Sequence, residues 1–536
     1  MRILSISTAL IALIIIPLSS YSQFTQQQKT LDGNNISAFI INTGILDQDI
    51  SQQNHPGFEW PKGSGKFAIF TGGLTIAAKV NGQIRMAAAS YNGEYRPGYI
   101  NNGAPFTDSR FHIFKIKQGD TTFTNPDYAE WGNMVPYGAP YIDVNNNGLF
   151  ELAIDRPGIK DASQTVFICL TDGFPESHMS KEGLGGGTEP LLAEVHFTSW
   201  CYDNSGLEDV QFLKWEVINK SASLWEGSMF TLFYDTDLGD ANDDFIGCDT
   251  LLDLAFTYNS DNFDSGYYGG YGANPPAVGF GILSSPLNLS TNSDYGLVTS
   301  TTFTIFGNSP ECQFPPSNPQ GAYNIMKGIK VDGSPWKNPL NNAKTVYLYP
   351  GDPETGAGWN EDDGSLVNCG GDSGYTISSA PGDRKMVLST SDSLFNLPSG
   401  QSVTIVASQQ IARGNNNLNS VTKLKQLTNT VRSFWQTIGI TPISSEVPTE
   451  FRLHQNYPNP FNPSTKIRFD VPGNKEFVKL IIYDISGREI AKLVNQELTP
   501  GVYEYDFVGA NLSSGMYIYK LEAGNYSETK KMVLIK

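Results

Sequence analysis

From Lys66 to Gln409 the chain runs as short apolar segments cut by clusters of Gly, Pro, Asn and Asp, a pattern that predicts β-strands joined by turns. The clearest candidates are Lys66–Phe70, Leu74–Val80, Ile84–Ser90, Thr165–Leu170, Leu192–Trp200, Gln211–Ile218, Met229–Tyr234, Thr345–Tyr349 and Ser402–Gln409. In Gln211–Ile218, Leu213, Trp215 and Val217 alternate with Phe212, Lys214 and Glu216, which predicts one face on a core and one toward water. The stretch Ser260–Pro319, with SGYYGGYGANPPAVGFG, reads instead as packed loops, a sugar-stacking aromatic surface being the alternative. One helix is expected near residue 430. There Val421, Leu424, Leu427, Thr428, Val431 and Trp435 recur at helical spacing behind a cap at Asn419 or Ser420. It should pack across a sheet and close the domain.

These elements predict a mainly all-β, sandwich-rich body over residues 23–440, forming one or two domains and ending in that helix. Residues 441–465 follow with five prolines and little periodicity, the mark of an extended linker. Beyond it Ile467, Phe469 and Val471 alternate with charged residues, as do Tyr503, Tyr505 and Phe507, while Tyr517, Tyr519 and Leu521 oppose Met516 and Ile518. About seven short strands with regular turns predict an immunoglobulin-like sandwich.

Charge separates the two parts. The net charge is −18, yet from Ser445 onward 11 acidic and 11 basic residues cancel, so the excess lies in the body. Phosphate binding needs clustered cations; nucleic acid is excluded as a partner, and divalent cations suit the surface better. At the N-terminus, Arg2, the apolar run Ile3–Ile16 and the small residues Ser20 and Ser22 predict a signal peptide at residues 1–22, cleaved after Ser22. The run is shorter than a span of roughly 20 residues, and no other segment is apolar enough to cross a membrane. Five cysteines follow (Cys169, Cys201, Cys248, Cys312 and Cys369), an odd number that leaves at least one unpaired within the chain. Cys312 and Cys369, both in loop-like stretches, are the expected disulfide, whereas Cys169 in TVFICL reads as a buried strand residue.

In the C-terminal part the motifs NYPNPFNP, KIRFDVP, VKLIIYD, DISGR, REIAKLV, VYEYDF and NLSSGMYIYKLEAG arrive in order, before YSETKKMVLIK. Their order and spacing over residues 447–536 closely resemble the type A C-terminal sorting domain of the bacterial type IX secretion system. The family often has Trp near the position of Phe507. The resemblance implies transport to the periplasm by the signal peptide, recognition of the domain by the secretion machinery and transfer across the outer membrane. It also implies a sortase-like peptidase cutting before Phe451, leaving a released or surface-anchored protein. The body resembles uncharacterised regions that accompany this domain, through KWEVINKS, DTDLGDANDDFIGCDT and ANPPAVG. That likeness names no activity.

Two acidic segments point to Ca²⁺, which takes six to eight oxygen ligands. In DVNNNGLFE, Asp143, Asn145, Asn147, the Leu149 main chain and Glu151, with Asp155 beyond, resemble extracellular calcium loops in which two acids are replaced by Asn. A metal-free Asx turn is the competing reading. In FYDTDLGDANDDFIGCDT, Asp235, Asp237, Asp240, Asp243 and Asp244, with Asp249 nearby, would repel one another unless a cation or solvent intervened. Paired carboxylates could alternatively serve a glycosidase.

Other motifs carry less. CGGDSGY at Cys369–Tyr375 resembles the nucleophile segment of trypsin-like proteases at Ser373 but lacks the AAHC histidine context. His178, Glu194 and His196 could donate to zinc, and GSGK at Gly63–Lys66 reads as a turn. The leading expectation is a calcium-stabilised, non-enzymatic binding or adhesion protein, secreted or held at the cell surface, that recognises glycans or another surface ligand. A secreted polysaccharide or protein hydrolase and a structural surface-layer component are the alternatives.

Overall fold

A computed structural model describes residues 24–535 apart from 53–54, 146, 180–181, 205, 267–268, 289–292, 304–309, 372–373, 439, 445–447, 449, 474–475, 499 and 510–511. The expected signal peptide and Ser373 lie outside the described residues. Among those described, the body's long strands pair antiparallel into two large sheets. The first runs Gln28–Leu31, Ala38–Ile41, Ile45–Leu46, Thr71–Val80, Glu226–Thr236, Arg384–Ser389, Thr299–Phe303, with Gln83–Ala87 against Thr71–Val80. The second runs Arg96–Pro97, Gln164–Thr171, Ala193–Cys201, Val210–Asn219, Ser402–Ala412, Ala277–Ser284, Leu254–Asn259, Asp244–Asp249, with Phe114–Lys117 against Gln164–Thr171.

The sheets stack face to face. Ile76, Phe230, Leu232 and Leu388 from the first share one core with Ile168, Val195, Trp215, Phe280 and Ile405 from the second. Tyr234 crosses the gap to stack on Phe280 at a ring separation of 3.6 Å. Gly72 permits this, because a Cβ there would lie 2.5 Å from the Tyr234 ring.

The outer faces are covered as well. Helix Pro319–Met326 lays Ala322, Tyr323 and Met326 on Met229, Phe233 and Val387 of the first sheet. Its N-terminus is closed by the Asn318 carboxamide, which accepts from the Gly321 N–H at 2.9 Å, with Pro319 at the first position. The predicted closing helix spans Asn417–Ile438 and crosses the second sheet, seating Val421 and Leu424 on Leu254 and Phe256 and Val431 on Phe212. Its cap is Asn416 rather than Asn419 or Ser420: the Asn416 side chain accepts from the Asn419 N–H at 2.7 Å. Ser420 lies inside the helix and donates to the Pro275 carbonyl at 2.7 Å.

Most predicted strands appear with slightly wider bounds, but three expectations need correcting. Phe212, expected on the half-exposed face, is fully buried because Phe434 and Val431 of the helix cover it, while Lys214 and Glu216 remain partly exposed. Thr345–Tyr349 is a strand only at Lys344–Thr345. Ser260–Pro319 contributes two strands to the large sheets, Ala277–Ser284 and Thr299–Phe303. The glycines of AVGFG concealed the first: a Cβ on Gly279 would lie 2.8 Å from Leu424, so glycine there lets the helix sit against the strand. Tyr271 of the aromatic loop is 3% exposed and offers no stacking platform. Cys312 and Cys369 are disulfide-bonded as expected, and Cys169, Cys201 and Cys248 are buried thiols.

The C-terminal part is a sandwich of two four-stranded sheets, Ile440–Ser444/Gly501–Val508/Ser464–Val471/Arg452–Leu453 and Glu489–Leu498/Glu476–Tyr483/Gly515–Ala523/Tyr526–Leu534. Ile467, Phe469, Leu480, Ile482, Tyr519 and Leu521 fill its core. Three segments of the proline-rich stretch 441–465, in Ile440–Ser444, Arg452–Leu453 and the start of Ser464–Val471, thus belong to this sandwich. No described helix is long and apolar enough to cross a membrane.

Leu424→Ala removes a fully buried anchor of the closing helix and is expected to cost about 2–5 kcal/mol. Lys423→Ala on the exposed side should stay within about 0.5 kcal/mol. Urea unfolding followed by tryptophan fluorescence measures both.

Candidate functional site

The loop at residues 143–155 is closed at its base by the paired strands Tyr141–Ile142 and Arg156–Pro157. Asp155 is buried, and its carboxylate accepts from the Val144 N–H at 2.9 Å and the Glu151 N–H at 2.7 Å. At the tip Asp143 accepts from the N–H groups of Asn147 at 3.2 Å and Gly148 at 2.7 Å, where Gly148 takes the left-handed φ of +75°. The carboxamides of Asn145 and Asn147 both donate to one Glu151 oxygen, at 2.8 and 2.6 Å. Their oxygens accept from the N–H groups of Asn147 at 3.2 Å and Leu149 at 2.8 Å, so the loop as it stands is closed by Asx turns. The structure therefore gathers Asp143, Asn145, Asn147 and Glu151, while Asp155 braces the base. The Leu149 side chain is 67% exposed, leaving only its main chain to contribute.

The second acidic segment divides. Asp235, on Glu226–Thr236, lies opposite Lys385 of the neighbouring strand, and their side chains pair at 2.9 Å. Tyr91 donates to the other Asp235 oxygen at 2.7 Å. Lys385 also pairs with Asp383, and Asp237 extends just beyond the strand, so that Asp235, Asp237 and Asp383 can bring one oxygen each within 4.8 Å of one another. Burial raises Asp237 well above the usual carboxylate range, and the charges of Asp235 and Asp383 add to this. Burial works against the charge on Lys385, but Asp235 and Asp383 outweigh it and raise the ammonium above the usual lysine range.

Asp240, Asp243 and Asp244 sit apart from that trio. The Asp264 carboxylate accepts from the Asp240 N–H at 3.0 Å and the Tyr271 N–H at 2.7 Å, and Asp243 accepts from the Asn259 carboxamide. Asp244 is fully buried; one oxygen accepts from the Leu238 N–H at 3.1 Å and the other has no hydrogen-bond partner among the described residues. Asp249, at the far end of its strand, pairs with Lys425 of the closing helix at 3.2 Å. Sequence reasoning missed Asp383, Lys385 and Asp264, which join the acidic segment only through strand pairing and a distant loop.

Beside the trio opens a cleft of about 560 Å³. Asp383 lines it together with Gln313, Trp336, Tyr349 and Arg384. Among the described residues no hydrogen-bond partner meets the buried Gln313 side-chain nitrogen.

The three residues considered for zinc do not converge. His196 pairs with Glu194 at 3.1 Å and with Glu216 at 3.6 Å. His178 lies in a separate buried network, 2.7 Å from the Asp172 carbonyl and 3.6 Å from Glu94. Gly63–Lys66 forms a turn, with Gly63 and Gly65 at positive φ.

In the C-terminal sandwich the proline-rich entry is pinned to the core. Tyr519 donates to the His454 carbonyl at 2.9 Å and accepts from the Asn456 N–H at 2.8 Å. Phe461 meets Phe507 edge-on at 6.0 Å, so phenylalanine fills the place where the family often carries Trp.

Residues 455–536 match the family model described as a secretion system C-terminal sorting domain. The chain carries a type IX sorting tail and is exported by that system to the cell surface or the medium. No curated protein matches the chain at a significant level.

Burial, then the charges of Asp264, Asp240 and Asp261, push Asp243 up to about 7 from 3.8. Between those values the folded chain keeps a proton that the unfolded chain releases, so this group's contribution to stability falls as pH rises. Asp243→Asn is expected to gain stability relative to the natural chain from pH of about 4 to about 7 in chelator. Thermal midpoints measured across that range check this; parallel curves would refute it.

Proposed function

We propose that the exported body is a calcium-stabilised binding module for surface glycans. The observation that carries this reading is that Asp383 belongs both to the trio with Asp235 and Asp237 and to the wall of the cleft. Three carboxylates facing one ammonium leave negative charge for a hard cation. A cation there would present open coordination positions toward the cleft, where sugar hydroxyls can reach them. The Gln313 amide, Arg384 and the edges of Trp336 and Tyr349 supply the mixture of polar and aromatic groups that suits a carbohydrate. The loop at Asp143, Asn145, Asn147, Leu149 and Glu151 serves as a second, structural Ca²⁺ site. Its two amides in place of acids suit weak binding, tolerable at the roughly millimolar calcium outside cells. A sortase-like peptidase would separate this module from its tail before Phe451.

A hydrolase is the second reading. It is favoured by the proximity of Asp237 to Asp383 at the cleft, but Asp235 is held by Lys385 and Tyr91.

Calcium at about 100 times its dissociation constant should stabilise the protein by about 2.7 kcal/mol per site, seen as a higher thermal midpoint. Asp143→Ala should remove part of that gain and Asp237→Ala another part. Glycan-array binding should require calcium and Asp237. No calcium shift would refute the metal sites, and sugar turnover abolished by Asp237→Asn would favour the hydrolase.

A further inference from the structure

Lys330 is 1% exposed. Among the described residues its amine meets the Asn368 side-chain oxygen and the Leu366 carbonyl, the latter at 3.3 Å, and no carboxylate pairs with it. It lies 4.7 Å from the centroid of the Trp336 ring. An ammonium so enclosed without a counter-ion is costly. Burial accordingly lowers Lys330 to about 8, against the opposing charge of Asp332, so a share of the side chain is the nucleophilic free amine. Asn368 is 2% exposed, and its side-chain nitrogen donates to the carbonyls of Pro335 at 3.0 Å and Gly371 at 2.9 Å. Those two bonds turn the nitrogen away and leave the carbonyl end of the amide toward Lys330. Asp332 ties the two segments together, accepting from the Gly370 N–H at 2.7 Å and from Ser334, which makes it a positioning residue.

We infer that Lys330 and Asn368 are joined by an intramolecular isopeptide bond. The neutral Lys330 Nζ adds to Asn368 Cγ, forming the new C–N bond. The Cγ–Nδ2 bond breaks, an amine proton passes to the departing nitrogen, and one ammonia leaves. No oxidant or reductant takes part. The reaction converts a buried cation into a neutral amide and closes a loop across a separation of 38 residues, beside the disulfide that spans 57. Trp336 and Gln313 of the cleft wall lie on these two loops. The wall would then stay fixed under reducing conditions that open the disulfide.

The test is a tryptic map of the full-length exported chain after reduction and alkylation. Expected is a branched product in which the peptides carrying Lys330 and Asn368 are joined, lighter than their sum by one ammonia, with no cleavage after Lys330. Lys330→Arg and Asn368→Ala should each yield only linear peptides and a lower thermal midpoint in reductant. Asp332→Asn should lower the branched fraction. Intact mass alone does not suffice, because cyclisation of an N-terminal Gln23 loses the same ammonia. Should Lys330→Arg fail to fold, the map of the natural chain still decides. Separate linear peptides, with cleavage after Lys330, would overturn the inference.

Discussion

The stack of Tyr234 on Phe280 joins the body's two sheets across their shared core, and it depends on Gly72 leaving room for the tyrosine ring. Offset aromatic pairs add about 0.5–1.5 kcal/mol to the area they bury, but here the geometric consequence is larger. With the ring seated between the sheets, neighbouring strands hold the spacing that lets Phe230, Leu232, Ile405 and Trp215 interlock. The same layer accommodates a polar pair: the Gln409 amide donates to Asp47, whose acid is pushed up to about 8 by burial and so enters the core largely neutral. Around this centre each sheet's outer face is covered in turn, by a short helix on one side and the closing helix on the other.

Double coverage explains what the sequence disclosed. Gln164–Thr171 is buried along its whole length and stands out as the apolar run TVFICL, whereas the equally buried Ala193–Cys201 alternates apolar with polar residues, Glu194 and His196 pairing on one face. In Val210–Asn219 alternation has the other cause, one face staying partly open at Lys214 and Glu216. Glycine misled where it served packing, since Gly279 reads as a loop residue until Leu424 is placed above it. The helix Pro319–Met326 is too short to show a period, although Asn318 and Pro319 mark its start. For the acidic corner, the local run of Asp residues was visible. Its division into a trio with Asp383 and Lys385 and a second group with Asp264 was not, because strand register and a returning loop create both.

The two halves solve charge differently. In the tail, opposite charges balance within one small sandwich, whereas the body concentrates acids at strand ends and loops. There buried carboxyls rely on backbone N–H groups, single cations such as Lys385, or retained protons. Order in the tail reaches into its proline-rich entry, because the Tyr519 hydroxyl grips both His454 and Asn456.

The strand Ile440–Ser444 directly follows the closing helix of the body, yet it pairs with Gly501–Val508 at the edge of the tail's sheet. The pairing is irregular between Pro442 and Ser444, where proline brings no N–H to the ladder. A cut between Ser444 and Phe451 would leave this edge strand covalently on the body's side of the break, so that the tail would depart one strand short.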